Sequence, residues 1–147
     1  MKPPLKTKSA DDFQTPPEAL VPLLPHLNKN WWIWECAAGK RKLFDELTKQ
    51  GFQCIATDIA ETEEWNFLEF DMPKDKYDCI ITNPPYSLKQ QFLERCYELK
   101  KPFALLLPLT ALETYKRQYL YKTFGIEIIL MPKRIFPLLT RLKNLKN

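Results

Sequence analysis

Asn83-Pro84-Pro85-Tyr86 is the segment whose residue types and order promise chemistry. Two consecutive prolines cannot continue a helix or donate backbone hydrogen bonds, so they stiffen a loop in which the Asn83 side chain and the Pro84 carbonyl are fixed acceptors. Such a pair recognises an amino group. Three other polar positions follow hydrophobic runs in the same way: Glu35-Cys36-Ala37-Ala38-Gly39, Asp58 and Asp71. The four cysteines, Cys36, Cys54, Cys79 and Cys96, include no C-x-x-C pair, so neither a zinc knuckle nor a redox motif is built locally. They read as buried free thiols packing like small hydrophobes. The lone histidine, His26 between Pro25 and Leu27, reads as structural.

The elements that must position these residues follow from the pattern of apolar side chains. Residues 31–36, with three tryptophans and Ile33, read as a first strand, and 53–58, 67–70, 77–82, 103–107 and 126–130 as five more. Between them, 40–50 has Leu43, Phe44 and Leu47 at helical spacing before Gly51. Leu88, Phe92, Leu93, Cys96 and Tyr97 mark one face of a second helix, and 111–124, ended by Gly125, reads as a third. Thr15-Pro16-Pro17-Glu18 has the form of a capping box opening a short N-terminal helix that Pro22 and Pro25 limit. Strands alternating with helices imply an α/β fold with a parallel sheet, whose ligands sit at the carboxyl ends of the strands. Glu35 to Gly39, Asp58, Asp71 and Asn83 to Tyr86 all fall there, so residues scattered in sequence are expected to converge on one crevice.

At this point the chain resembles the class I S-adenosylmethionine-dependent methyltransferases, and within them the N-P-P-Y type that methylates planar nitrogens, chiefly adenine N6 in DNA, as in phage and restriction systems. The resemblance covers roughly residues 13–136. It implies a three-layer, Rossmann-like sheet, a DNA substrate and S-adenosylmethionine as cofactor. It also implies roles. Asn83, Pro84, Pro85 and Tyr86 become the catalytic segment: Asn83 and the Pro84 carbonyl draw the amino hydrogens into a tetrahedral arrangement and stabilise the developing positive charge, and Tyr86 stacks on the flipped-out base. No metal is required, because the sulfonium already provides a good leaving group. The cofactor is then expected to contact Phe13 and Thr15 in the N-terminal motif, Glu35, Ala37 and Gly39 in the first motif, Asp58 at the ribose with Ile59 beside it, Asp71 at the adenine, and Asn83. Only one glycine stands in the first motif, where many relatives have two, and Lys40-Arg41-Lys42 follow it.

Composition bounds the rest. The chain has 147 residues, 45% of them hydrophobic and 27% charged, enough apolar material for one folded domain and too much for a disordered chain. We expect a lead-in over 1–12, a methyltransferase domain over 13–137 and a basic tail over 138–147. Class I methyltransferases finish with a strand inserted antiparallel beside the sixth, and the residues after Pro137 read as helical rather than extended, so that last strand is expected to be missing or altered. No target-recognition domain is expected within these 147 residues. Specificity is then expected from short loops, a homodimer or a partner subunit. Without an apolar signal core at the N-terminus or a run long enough to span a bilayer, the chain is expected in the cytoplasm, without membrane attachment. Two alternatives stand beside DNA adenine methylation: methylation of an RNA base or a protein glutamine, and a degenerate, non-catalytic subunit that binds nucleic acid or a partner.

Overall fold

Alternating apolar residues place two separate sets of side chains on the two faces of one sheet. In the computed structural model, which describes residues 17–131 and 137–142, that sheet has six strands among the described residues. They are β1 (Trp32–Glu35), β2 (Gln53–Ala56), β3 (Cys79–Thr82), β4 (Phe103–Leu106), β5 (Glu127–Ile129) and β6 (Leu138–Arg141), in spatial order β2-β1-β3-β4-β6-β5. β1 pairs parallel with β2 and β3, and β3 with β4, whereas β6 lies antiparallel to both β4 and β5. Three helices join them: α1 (Lys42–Lys49), α2 (Lys89–Leu99) and α3 (Tyr115–Phe124).

The period of two in each strand divides the core. Ile33, Cys79, Ile81, Ala104 and Leu106 pack on one face with Leu43 and Leu47 of α1 and with Leu20, Leu23 and Leu27. Trp34, Ile80, Phe103 and Leu105 pack on the other with Phe92, Leu93, Cys96 and Leu99 of α2 and Tyr121 of α3. All four cysteines are free thiols, three of them buried. No described helix is long and apolar enough to cross a membrane.

The structure corrects four expectations. The strand expected over 67–70 is not a strand. The Asn66 side chain accepts the Leu68 N–H, and the Asn66 carbonyl accepts those of Glu69 and Phe70. Arg95 of α2 takes the carbonyls of Phe67 and Phe70, so the groups a ladder would use are consumed locally. The last antiparallel strand, expected to be missing or altered, is present as β6, and 138–141 is sheet rather than tail. Buried Leu138, Leu139 and Thr140 fit between β4 and β5, where both edges offer hydrogen bonds. The basic residues Lys143 and Lys146 lie outside the described residues.

The third helix is shorter than expected, with a 3-10 turn over Leu109–Leu112 and a fresh start at Thr114, whose extended backbone and side-chain acceptance of the Arg117 N–H cap α3. At the N-terminus, Pro17–Leu20 and Leu24–His26 are two 3-10 turns rather than one helix, separated at Pro22, with Pro25 early in the second turn. Phe13 and Thr15, expected beside the cofactor, lie outside the described residues.

Candidate active site

Glu35 ends β1, and the sheet leaves its carboxyl almost no water: it is 1% exposed. Its Oε1 accepts the Ala37 N–H at 3.1 Å and the hydroxyl of Thr82, the last residue of β3. Burial pushes this carboxyl up to about 8, with the negative Asp58 adding to the rise and the Thr82 and Ala37 hydrogen bonds opposing it. Sequence reasoning put Glu35 against the cofactor. The structure sets it beneath the turn, fastening the ends of two strands and the Ala37 amide together.

Above it runs the turn from Cys36 to Arg41. Ala38 donates its N–H to the Thr57 carbonyl, Thr57 donates its own to the Glu35 carbonyl, and the Trp34 indole donates to the Thr57 hydroxyl at 2.9 Å. Asp58, just past β2, accepts the Gly39 N–H through Oδ2 and the Ala60 N–H through Oδ1, both at 2.7 Å. Gly39 has φ 55°, a left-handed conformation in which a glycine carries no Cβ penalty, and it is exposed. The cationic run after it is accommodated: Arg41 takes a left-handed backbone, φ 64°, before α1 and pairs with Glu61 at 3.0 Å. Ile59, beside Asp58, is 53% exposed, an apolar side chain at the rim of the same strand end.

Asn83-Pro84-Pro85 leaves β3 one strand away from β1 and beside β4. Asn83 is half-buried with Oδ1 shielded from water, and Pro84 is buried. Tyr86 begins a one-turn 3-10 segment leading into α2 and packs in the core cluster that holds Phe92, its hydroxyl pushed up by burial. Lys89 donates to the Tyr86 carbonyl at 3.2 Å. Glu35, Ala37, Gly39 and Asp58 are thus joined in one hydrogen-bonded unit, which the Glu35–Thr82 bond ties to the strand end just before Asn83.

Asp71 is elsewhere in its bonding. Its Oδ1 accepts from Arg95 at 2.8 Å, and Arg95 also pairs with Glu98 at 2.9 Å, so the carboxylate serves a clamp on the 67–71 segment. Thr82 and Arg95 are the two site-building residues that sequence reasoning missed. Removing the clamp in Arg95→Met strips hydrogen bonds from two main-chain carbonyls, and we expect a loss of about 1–3 kcal/mol in urea unfolding.

Residues 29–105, just over half of the chain, match the Eco57I restriction-modification methylase family. The chain belongs to that family. The matched residues include every site candidate from Glu35 to Tyr86, and they stop before α3 and the β5-β6 pair. Among curated relatives, the chain is similar to the Type II methyltransferase M.EcoRI of Escherichia coli, with 28% identity over 81 residues, 55% of this chain and 22% of that protein. The chain therefore spans about a fifth of the relative's length. The six-stranded α/β sheet is compatible with a methyltransferase fold, and restriction-modification methylases act on DNA.

Proposed function

We propose that this chain transfers a methyl group from S-adenosylmethionine to the exocyclic N6 amino group of adenine in DNA. The observation that carries the reading is the Asn83-Pro84-Pro85 segment at the end of β3, next to the Glu35–Asp58 turn unit at the ends of β1 and β2.

The donor set suits the cofactor. Two of the roughly four lone-pair positions of the Asp58 carboxylate are taken by amides, which leaves acceptors for vicinal hydroxyls. Exposed Gly39 lets a ligand approach the main chain, and exposed Ile59 offers an apolar contact for an adenine ring. Asp71 keeps one carboxylate oxygen beyond its Arg95 bond for an amino group. When bound, S-adenosylmethionine supplies an electrophilic methyl on a sulfonium.

The chain's own residues do the rest. The target nitrogen is a poor nucleophile because its lone pair is delocalised into the ring. Asn83 Oδ1 and the Pro84 carbonyl accept its hydrogens, favour the pyramidal geometry and stabilise positive charge as it develops there. The consecutive prolines hold both acceptors rigidly, so little reorganisation accompanies the reaction. Tyr86 forms the wall against which the flipped base rests, and its placement in the core fixes that wall. Thr82 and Glu35 act as positioning residues beneath the two loops.

Calorimetric titration with S-adenosylmethionine and S-adenosylhomocysteine tests the cofactor half. Asp58→Ala should weaken both about tenfold to a hundredfold, from the ~1.5–3 kcal/mol of a hydrogen bond to a charged group. Tritium transfer to DNA followed by nucleoside analysis tests the other half, with N6-methyladenine as the expected product. A folded wild-type protein that binds neither compound would sink the enzymatic reading.

A further inference from the structure

We infer that the outer face of α3 is a DNA-strand contact surface that extends the candidate active site. This rests on the proposed DNA methyl transfer and names the surface that would hold its substrate. The helix reads Tyr-Lys-Arg-Gln-Tyr-Leu-Tyr-Lys-Thr-Phe, without an acidic residue from Thr114 to Ile126. Its inner face is spoken for: Arg117 and Tyr121 are buried and both donate to the Ala111 carbonyl, at 2.7 and 2.9 Å. Its outer face carries Tyr115 at 89% exposure and Tyr119 at 63%, one helical turn apart, alongside exposed Lys116, Gln118 and Lys122.

Tyr115, Gln118, Tyr119 and Lys122 line a shallow cleft of about 290 Å³. Two large aromatic rings left in water, on the side of the helix away from buried Arg117 and Tyr121, contribute nothing to the core. With lysines interleaved, they form the combination that binds a nucleic-acid strand, rings for base stacking and cations for phosphates. Charge decides the occupant. The exposed cations on this face oppose no acid within the helix; Glu113 precedes its cap and Glu127 follows it on β5.

Position supports the same occupant. Arg117 Nη1 donates to Gln90 Oε1 at 3.3 Å, joining the first turn of α3 to the first turn of α2, which begins just after Asn83-Pro84-Pro85-Tyr86. The stripe from Tyr115 to Lys122 thus begins at the end of α3 that is joined to the start of α2 and runs on over about 10 Å of helix. A strand whose base enters at Asn83 has its neighbouring nucleotides along this stripe.

The test is fluorescence anisotropy of labelled single-stranded and duplex DNA, over a salt series, with wild type, Tyr115→Ala/Tyr119→Ala and Lys116→Gln/Lys122→Gln, together with S-adenosylhomocysteine titration of each. The aromatic pair should weaken single-strand binding at least about tenfold with cofactor affinity unchanged. The lysine pair should lower the slope of log affinity against log salt by about 2. Wild-type binding that neither variant alters would overturn this surface and leave the proposed reaction standing. Absence of wild-type binding to any DNA would remove the DNA reading itself, and this surface with it. Sedimentation provides the last arm: a dimer that Tyr115→Ala/Tyr119→Ala dissolves, with DNA binding intact, assigns the face to a second copy instead.

Discussion

Asn83→Ala should lower methyl transfer to DNA at least about 100-fold while cofactor affinity stays nearly intact, because its amide oxygen acts on charge that develops only in the transition state. The ground-state amino group needs no such partner to enter the pocket. The side chain follows the last residue of β3, with Oδ1 shielded from water, so the interaction operates where competing solvent is weak. The Pro84 carbonyl is a main-chain group that substitution of Asn83 leaves in place, and it should preserve a residual rate. Single-turnover tritium transfer and calorimetric titration on the same preparation check both halves. Loss of cofactor binding together with transfer would mean that Asn83 holds the loop rather than the reacting nitrogen.

That loop was the most legible part of the chain because its signal is chemical as well as periodic. Two prolines after Cys-Ile-Ile-Thr can only leave a strand, and Thr82 indeed closes β3. The first-motif turn and Asp58 were legible for a related reason, since a small-residue segment and a carboxylate that follow apolar runs, each holding an isoleucine, mark the ends of β1 and β2. What escaped was decided by tertiary partners. Residues 67–70, Phe-Leu-Glu-Phe, read as a short apolar strand, but Arg95, a residue of α2 distant in sequence, takes the carbonyls of Phe67 and Phe70. Residues 138–141 are basic and leucine-rich like a helix end, but a gap between β4 and β5 makes extended pairing worth more than helical propensity. Periodicity cannot report either effect, because both depend on which element lies alongside. The same holds for the hydrogen bonding of Glu35. Its partner Thr82 lies on another strand, and only the register of β1 on β3 brings the two together.

Glu35 gives the second large effect, one of pH on stability. In the folded chain burial keeps this carboxyl protonated up to about 8, whereas the unfolded chain releases the proton near the ordinary 4.5. Between those values the folded state binds more protons, so stability is greatest at the acid end of the window, falls as pH rises and levels off above about 8. Each pH unit of the window corresponds to at most about 1.4 kcal/mol. Thermal unfolding of wild type and Glu35→Gln from pH 6 to 8 isolates this group by difference. Wild type should lose about 2 kcal/mol across that range through this group. Glu35→Gln, which keeps an acceptor for the Ala37 amide and the Thr82 hydroxyl, should show a nearly flat profile whatever its absolute stability. Parallel profiles for the two proteins would show that Glu35 is already ionised in the fold. The distinction bears on the site, because an ionised Glu35 would place a second negative charge beneath the Ala37–Gly39 turn, next to Asp58. A neutral one leaves Asp58 as the anion that the cofactor hydroxyls meet. The pH profile of S-adenosylhomocysteine affinity should therefore bend near the same value in wild type and lose that bend in Glu35→Gln.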